Sequence, residues 1–159
     1  MPVLERIAEK HLLGERDAIT LQAGDLVQEA YLRLSELKLP IRNRQHFLSL
    51  ASTAMRRVLV DHARRKQADK RGARPVKITL RACEEASPET DAVQLLELDV
   101  LLNDLARLDG RKAQVLELHY FGGLSRAEMS EVTGLSAATL GRELSFARSW
   151  ILAQLDSSR

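Results

Sequence analysis

The sequence has few of the residues that build disulfide-rich, β-rich or membrane proteins. Of its 159 residues one is cysteine, eight are glycine and four are proline, and aromatic residues make up only 4%. A single cysteine, Cys83, excludes an internal disulfide and a cysteine-rich zinc site. So few glycines and prolines argue against an all-β fold with many turns. No apolar run reaches membrane-spanning length, and the N-terminus lacks a signal-peptide pattern. We therefore expect an all-α protein of the reducing cytoplasm.

Residue sets that are typical of catalysis are also missing from the sequence. There is no glycine-rich phosphate loop, no paired-carboxylate motif and no cluster of histidine with cysteine. Asp61 and His62 are neighbours, but adjacent helical residues point about 100° apart and cannot orient each other as a hydrolase dyad does. The sequence therefore predicts no catalytic activity, no cofactor and no metal site.

Charge is distributed unevenly along the chain, although the net charge is only +2. Eight lysines and arginines lie between residues 56 and 74, against two aspartates: Arg56, Arg57, Arg64, Arg65, Lys66, Lys70, Arg71 and Arg74. From Glu84 to Asp109 there are eight acids and one base, Arg107. The basic segment predicts a surface for a polyanion. The acidic segment is a linker that repels nucleic acid, a shield for the basic surface when DNA is absent, or simply a solvated linker.

Apolar residues spaced by three and four predict three helices in the N-terminal half, at 3–13, 24–38 and 44–70. Asn43 is the expected N-cap of the long helix. The apolar stripe of that helix consists of Phe47, Leu50, Ala51, Ala54, Met55, Val58, Leu59 and His62. The inward face of the 24–38 helix is predicted to contain Leu26, Val27, Ala30, Tyr31, Leu34 and Leu37.

A break in periodicity divides the chain into two predicted domains. Gly72, Pro75 and Pro88 bracket a segment with little pattern, in which residues 76–80 are predicted to be extended. We place an N-terminal helical domain at 1–71, a linker at 72–92 and a C-terminal domain at 93–159. Helical periodicity resumes at 93–108 and again at 111–121.

The C-terminal region has the local signals of a helix-turn-helix. Gly122 and Gly123 end a helix, and Ser125 with Glu128 forms a capping box at the start of the next one. Gly134 then makes the turn, and a new helix begins after it. The second helix is capped by Ser136 and is predicted to present its first turns to the major groove of DNA, through Ser136, Ala138, Thr139, Arg142 and Glu143. The alternative is an ordinary helical hairpin inside a bundle.

Three segments together resemble bacterial sigma factors of the extracytoplasmic-function (ECF) type. They are TLQAGDLVQEAYLRL (20–34), FLSLASTAMRRVLVDHARR (47–65) and YFGGLSRAEMSEVTGLSAATLGRELSFARSWI (120–151). Their order is similar to that of the family: a domain that binds the promoter −10 element, a linker, and a helix-turn-helix domain that binds the −35 element. The resemblance covers nearly the whole chain.

The resemblance implies roles for three groups of residues. Core RNA polymerase is expected to be bound by Asp25, Gln28, Glu29 and Arg33. The −10 element is expected to be recognised and melted by the long helix, through Arg56, Arg57, Asp61, His62, Arg64, Arg65 and Lys66. The −35 element is expected to be bound by Ser136, Ala138, Thr139, Arg142, Glu143, Ser145 and Arg148. Similar family members tend to carry basic residues at the positions of Gly141 and Ser145.

The sequence thus predicts a transcription initiation factor whose partners are core RNA polymerase and promoter DNA. The resemblance leaves open an anti-sigma partner. A helix-turn-helix regulator that acts without being a polymerase subunit is the alternative, although the N-terminal half shows no clear dimer interface or effector pocket. A small helical nuclease or transferase would need the catalytic residues that the sequence lacks.

Overall fold

The computed structural model describes residues 23–37, 40–69, 77–79 and 92–158, and in this part of the chain helices dominate. The helices are α1 (Ala23–Glu36), α2 (Arg44–Asp69), α3 (Leu95–Leu108), α4 (Gly110–Leu116), α5 (Arg126–Thr133) and α6 (Ala137–Ser157). Helix α4 continues into a π-helical turn at Glu117–Phe121. Two three-residue strands, β1 (Lys77–Thr79) and β2 (Ala92–Gln94), pair antiparallel with Ile78 opposite Val93. The predicted all-α class is confirmed, and the predicted helix at 3–13 lies outside the described residues.

The three N-caps that the sequence predicted are present in the structure, at Asn43, Ser125 and Ser136. The Asn43 Oδ1 accepts a hydrogen bond from the His46 amide at 2.8 Å. Ser125 and Glu128 form the predicted capping box, and Ser136 Oγ accepts from the Thr139 amide at 3.2 Å. Each cap satisfies an amide that the first helical turn leaves without a backbone partner. Of the described helices, none has the length and apolar character needed to cross a membrane.

Helix α2 lies at the centre of one hydrophobic core. It contacts α1 on one side and α3, the π-helical turn and α5 on others. The predicted stripe is confirmed at five buried positions, whereas its other members Phe47, Leu50 and His62 are half-buried. The buried five are Ala51, Ala54, Met55, Val58 and Leu59. Four further residues of α2 are buried as well: Leu48, Ser52, Val60 and Ala63. Partners on several sides bury more of a helix than a single stripe, which explains why the sequence pattern underestimated this face.

The two predicted halves meet directly in this core, because a single buried cluster includes Ala30 and Met55 as well as Leu102 and Ile151. Gly122 makes part of this contact possible. A Cβ atom at Gly122 would collide with the Ser52 hydroxyl of α2. The following residue, Gly123, supplies the positive φ of 62° that ends the π-helical turn. The division into two domains stays a prediction.

The orientation of α1 differs from the prediction. Tyr31 and Leu37, predicted to point inward, are 49% and 38% exposed. Ala30 is fully buried and Leu34 packs against the core, so the buried face is narrower than the sequence suggested. The helix is consequently turned so that Glu29 and Arg33, predicted to face outward, reach the polar side of α2.

Candidate nucleic-acid and polymerase interfaces

Arg56, predicted to face a polyanion, instead lies between α2 and the C-terminal helices. Its Nε donates to Asp99 Oδ1 at 2.8 Å, and its Nη1 lies 3.3 Å from Glu117 Oε1. It also donates to Asn103 Oδ1 at 3.1 Å, and the guanidinium lies 5.9 Å from the centre of the Phe121 ring. The Arg56 side chain is only 17% exposed. The expectation that Arg56 is presented to solvent is wrong for this structure, because its guanidinium is paired with two carboxylates of the same chain.

A second ion-pair network joins α1 to α2. Arg33 pairs with Asp61 on α2 and with Glu29 one turn earlier on α1. Glu29 also accepts from Arg65 at 3.2 Å. Partial burial opposes the charged form of Arg33, but the hydrogen bond and charge of Asp61 outweigh it and raise the pKa of the guanidinium. Arg33, Glu29 and Asp61 therefore hold the two helices together.

Other cations of α2 remain at the surface. Arg57 is exposed, and the Arg64 side chain is 64% exposed with a loose contact of 3.9 Å to Asp61. They line an open cleft of about 330 Å³ together with Arg33 and Arg56. His62 is half-buried on the same helix, whereas the side chains of Lys66 and of Asp25 on α1 lie outside the described residues.

The turn between α5 and α6 is fixed by three local interactions. Gly134 adopts the left-handed conformation at φ 75°, which ends α5. Ser130 Oγ donates to the Leu135 carbonyl at 2.6 Å, and the Leu135 amide donates to Thr133 Oγ1 at 3.2 Å. The small Ser130 thus stabilises the turn through its hydroxyl. Helix α6 consequently starts at a defined angle to α5.

The first turns of α6 present short polar side chains and one arginine to solvent. Ser136, Ala138 and Arg142 are exposed, and Thr139 is half-buried. The Arg142 guanidinium donates to Thr139 Oγ1 at 3.3 Å, which is a contact within the helix. Farther along, Ser145 is exposed and Arg148 is half-buried. The structure brings these predicted residues together along one side of the helix.

Glu143 does not belong to that exposed set, contrary to the prediction. Its side chain is 11% exposed and lies 3.1 Å from Arg111 Nη2 and 3.2 Å from Lys112 Nζ, so it fixes α4 to α6. The Lys112 ammonium donates hydrogen bonds to Asp109 and to Glu143, and these raise its pKa, with Asp109 as the larger cause. The signal was present in the sequence: Glu143 is three residues after Leu140 and four before Ala147, both of which are fully buried.

The outer face of α1 has a mixed character. Gln28, Tyr31 and Leu32 are exposed, Leu32 to 53%. Ile41, which follows the helix, is 52% exposed. Apolar side chains beside polar ones are typical of a surface that docks on another protein. Across the described residues, no group of three or more histidine, cysteine, aspartate or glutamate side chains is arranged to hold a metal ion.

Comparison with known proteins gives one match that spans the molecule. No curated protein and no solved structure is significantly similar to the chain. The family model of the ECF sigma factors matches residues 2–157. Sigma factors act in the initiation of transcription, and the family is not a catalytic one. Since the match covers all six helices described above, the chain belongs to the ECF sigma factor family.

Proposed function

We propose that the protein binds core RNA polymerase and directs it to promoters, with α2 at the −10 element and α6 at the −35 element. The observation that carries this proposal is the presentation of α6. A turn fixed by Ser130, Thr133 and Gly134 precedes α6, and Ser136, Ala138 and Arg142 at the start of the helix are exposed. That geometry matches a recognition helix, whose N-terminal residues enter the major groove.

At the −35 element, Arg142 is proposed to read a base edge. It lies in the second turn of α6, and a guanidinium can bond two acceptors of a guanine at once. Ser136 and Thr139 are short and begin the helix, so the backbone can approach closely. Ala138 offers a methyl group for contact with a thymine methyl.

At the −10 element, Arg57 and Arg64 are proposed to hold the displaced strand. Both are exposed, and they lie seven residues apart on one face of α2, along an open cleft. Melted DNA needs cations that follow the backbone and a space for unstacked bases. Arg56 lines the same cleft, but its guanidinium is paired with Asp99 and Glu117 in the free chain.

Docking on core polymerase is proposed to use Gln28, Tyr31 and Leu32 of α1. These side chains are exposed, whereas Glu29 and Arg33 are engaged by Arg65 and Asp61.

Leu32→Glu is expected to weaken binding to core polymerase without changing the helical content. Leu152→Ala, at a half-buried position of α6 far along the chain, serves as a control that should leave polymerase binding intact.

Run-off transcription with purified core polymerase on a library of genomic fragments tests the whole proposal. We expect transcripts from a defined set of fragments only when both core polymerase and the protein are present. Enriched fragments should share two motifs separated by a constant distance. If the protein selects the same fragments without core polymerase and supports no transcription, it acts as a regulator outside the polymerase and the proposal is wrong.

A further inference from the structure

Gly141 lies in the second turn of α6 and has a neighbour that explains the absence of a side chain. A glycine inside a helix is destabilising by about 1 kcal/mol relative to alanine. An ideal Cβ atom at this position would lie 3.0 Å from Nη1 of Arg126, the first residue of α5. The guanidinium of Arg126 therefore lies in close contact with the place that a side chain at position 141 would take.

The side chain of Arg126 extends from α5 and contacts the backbone of α6. Its Nη1 donates to the Ala137 carbonyl at 3.4 Å, a long bond to the first turn of α6. Ala137 and Gly141 are four residues apart and share one face of the helix. The guanidinium thus spans the first and second turns of α6, next to the exposed Ala138 and Arg142.

The charge of Arg126 has no carboxylate partner in the described part of the chain, whereas other charged residues close to α6 are paired. Arg111 pairs with Glu143, and Glu128 is engaged by Arg44 and by the capping box. Arg126 is exposed and meets only a backbone carbonyl. A guanidinium fixed over the groove-facing helix and not neutralised by the chain is suited to a phosphate, which it can bind through two parallel hydrogen bonds.

We propose that Arg126 binds a phosphate at the edge of the major groove that α6 enters, and that Gly141 is the space which permits this. The inference rests on the proposed binding of DNA by α6. The contact fixes the position of the helix on the duplex and does not read bases. One cation of the −35 surface is thereby supplied by α5 and not by α6.

Binding of the full-length chain to a short random-sequence duplex, followed over a series of salt concentrations, tests the contact. Arg126→Ala should lower the slope of log Kd against log salt by about one, which makes the change in Kd between 50 and 200 mM salt about fourfold smaller. Sequence preference in the bound fraction should stay the same. Arg107→Ala is the matched control, because Arg107 is an exposed arginine of α3 paired with Asp104 and should leave the slope unchanged.

Moving the charge sharpens the test. Arg126→Ala combined with Gly141→Lys should restore the slope, since the cation returns to the same place from α6. Gly141→Lys alone should gain less than it gains in the Arg126→Ala background, because its Cβ crowds the guanidinium and the two cations repel.

Two results would overturn the inference in different ways. If Arg126→Ala leaves the slope unchanged while Arg142→Ala weakens binding, then α6 binds DNA but Arg126 does not. If neither substitution alters binding, α6 is not a DNA-binding helix and the proposed function fails as well. Circular dichroism checks that the variants fold, and Arg126→Lys, which keeps the cation, is expected to keep the slope.

Discussion

The two helices proposed to bind DNA, α2 and α6, differ in what their polar side chains do in the free chain. On α2, Arg56 and Arg65 pair with carboxylates of other helices. On α6, the exposed Arg142 meets only Thr139 of its own helix. A dense cluster of cations in the sequence therefore does not by itself give a free basic surface. The less basic helix is the one whose presentation fits DNA more directly.

The physical reason is the distribution of acids. Asp99 belongs to the acidic segment between Glu84 and Asp109, whereas Glu117 follows that segment in the π-helical turn, and folding brings both against α2. For Asp99 this agrees with one of the alternatives for the acidic segment, shielding of the basic surface. In the first two turns of α6 the acid, Glu143, is turned to the core and neutralised by Arg111 and Lys112.

The largest expected effect is a difference in stability between alanine variants of two adjacent arginines of α2, Arg56 and Arg57. Arg56→Ala should lower the free energy of unfolding by about 3 kcal/mol, because it leaves two largely buried carboxylates without a cationic partner. Arg57→Ala should change it by less than about 0.5 kcal/mol, since Arg57 is exposed. Urea unfolding of both variants measures the difference. Equal stabilities would mean that the Arg56 network is not formed in solution.

A second pair of neighbours tests α6 in the same way. Glu143→Gln should destabilise the protein by about 1–2 kcal/mol, because Arg111 and Lys112 lose a charged partner. Arg142→Ala should leave stability unchanged and reduce discrimination at one base pair by about 1–3 kcal/mol. Thermal unfolding and selection of −35 duplexes give the two readouts. The comparison breaks if Arg142→Ala unfolds the protein or if Glu143→Gln changes the preferred base.

A third prediction concerns the ion pairs that Arg56 forms with Asp99 and Glu117. Asp99→Asn with Glu117→Gln should release the guanidinium and raise the affinity for a single-stranded oligonucleotide, with the salt slope increased by about 0.7. Glu97→Gln with Asp104→Asn removes the same charge from positions of α3 that do not contact Arg56, and it is the control for net charge. Equal gains in both variants would show that overall charge, and not Arg56, is responsible.

The smallest expected effect lies at the start of α4. The hydrogen bond from the Lys112 ammonium, followed by that from the Lys112 amide, lowers the pKa of Asp109. A depressed pKa means that the stabilisation is present above the ordinary carboxyl pKa and is lost as pH falls through the lower folded value. Asp109→Asn keeps the capping oxygen but not the charge, so its stability should fall less between about pH 5 and about pH 2. Denaturant unfolding across that range provides the comparison, and identical pH profiles would contradict it.

The sequence by itself determined the local structure. Caps, glycine stops and apolar spacing depend on residues within one or two turns, and they located the helices, the caps at Asn43, Ser125 and Ser136, and the turn at Gly134. The sequence also contains the segments 20–34, 47–65 and 120–151, whose resemblance to the family is confirmed by the family match. Sequence-local signals suffice for these features because their interactions are short in range along the chain.

Only the tertiary structure decided which polar side chains remain available. Three contacts that matter here join residues of different helices. Glu143 pairs with Arg111, Arg56 pairs with Asp99, and the guanidinium of Arg126 lies beside Gly141. Ion pairs of this kind depend on how helices rotate and cross, which the periodicity of one helix does not specify. Charge counts therefore located a basic helix in the sequence, whereas packing fixed which of its cations face solvent.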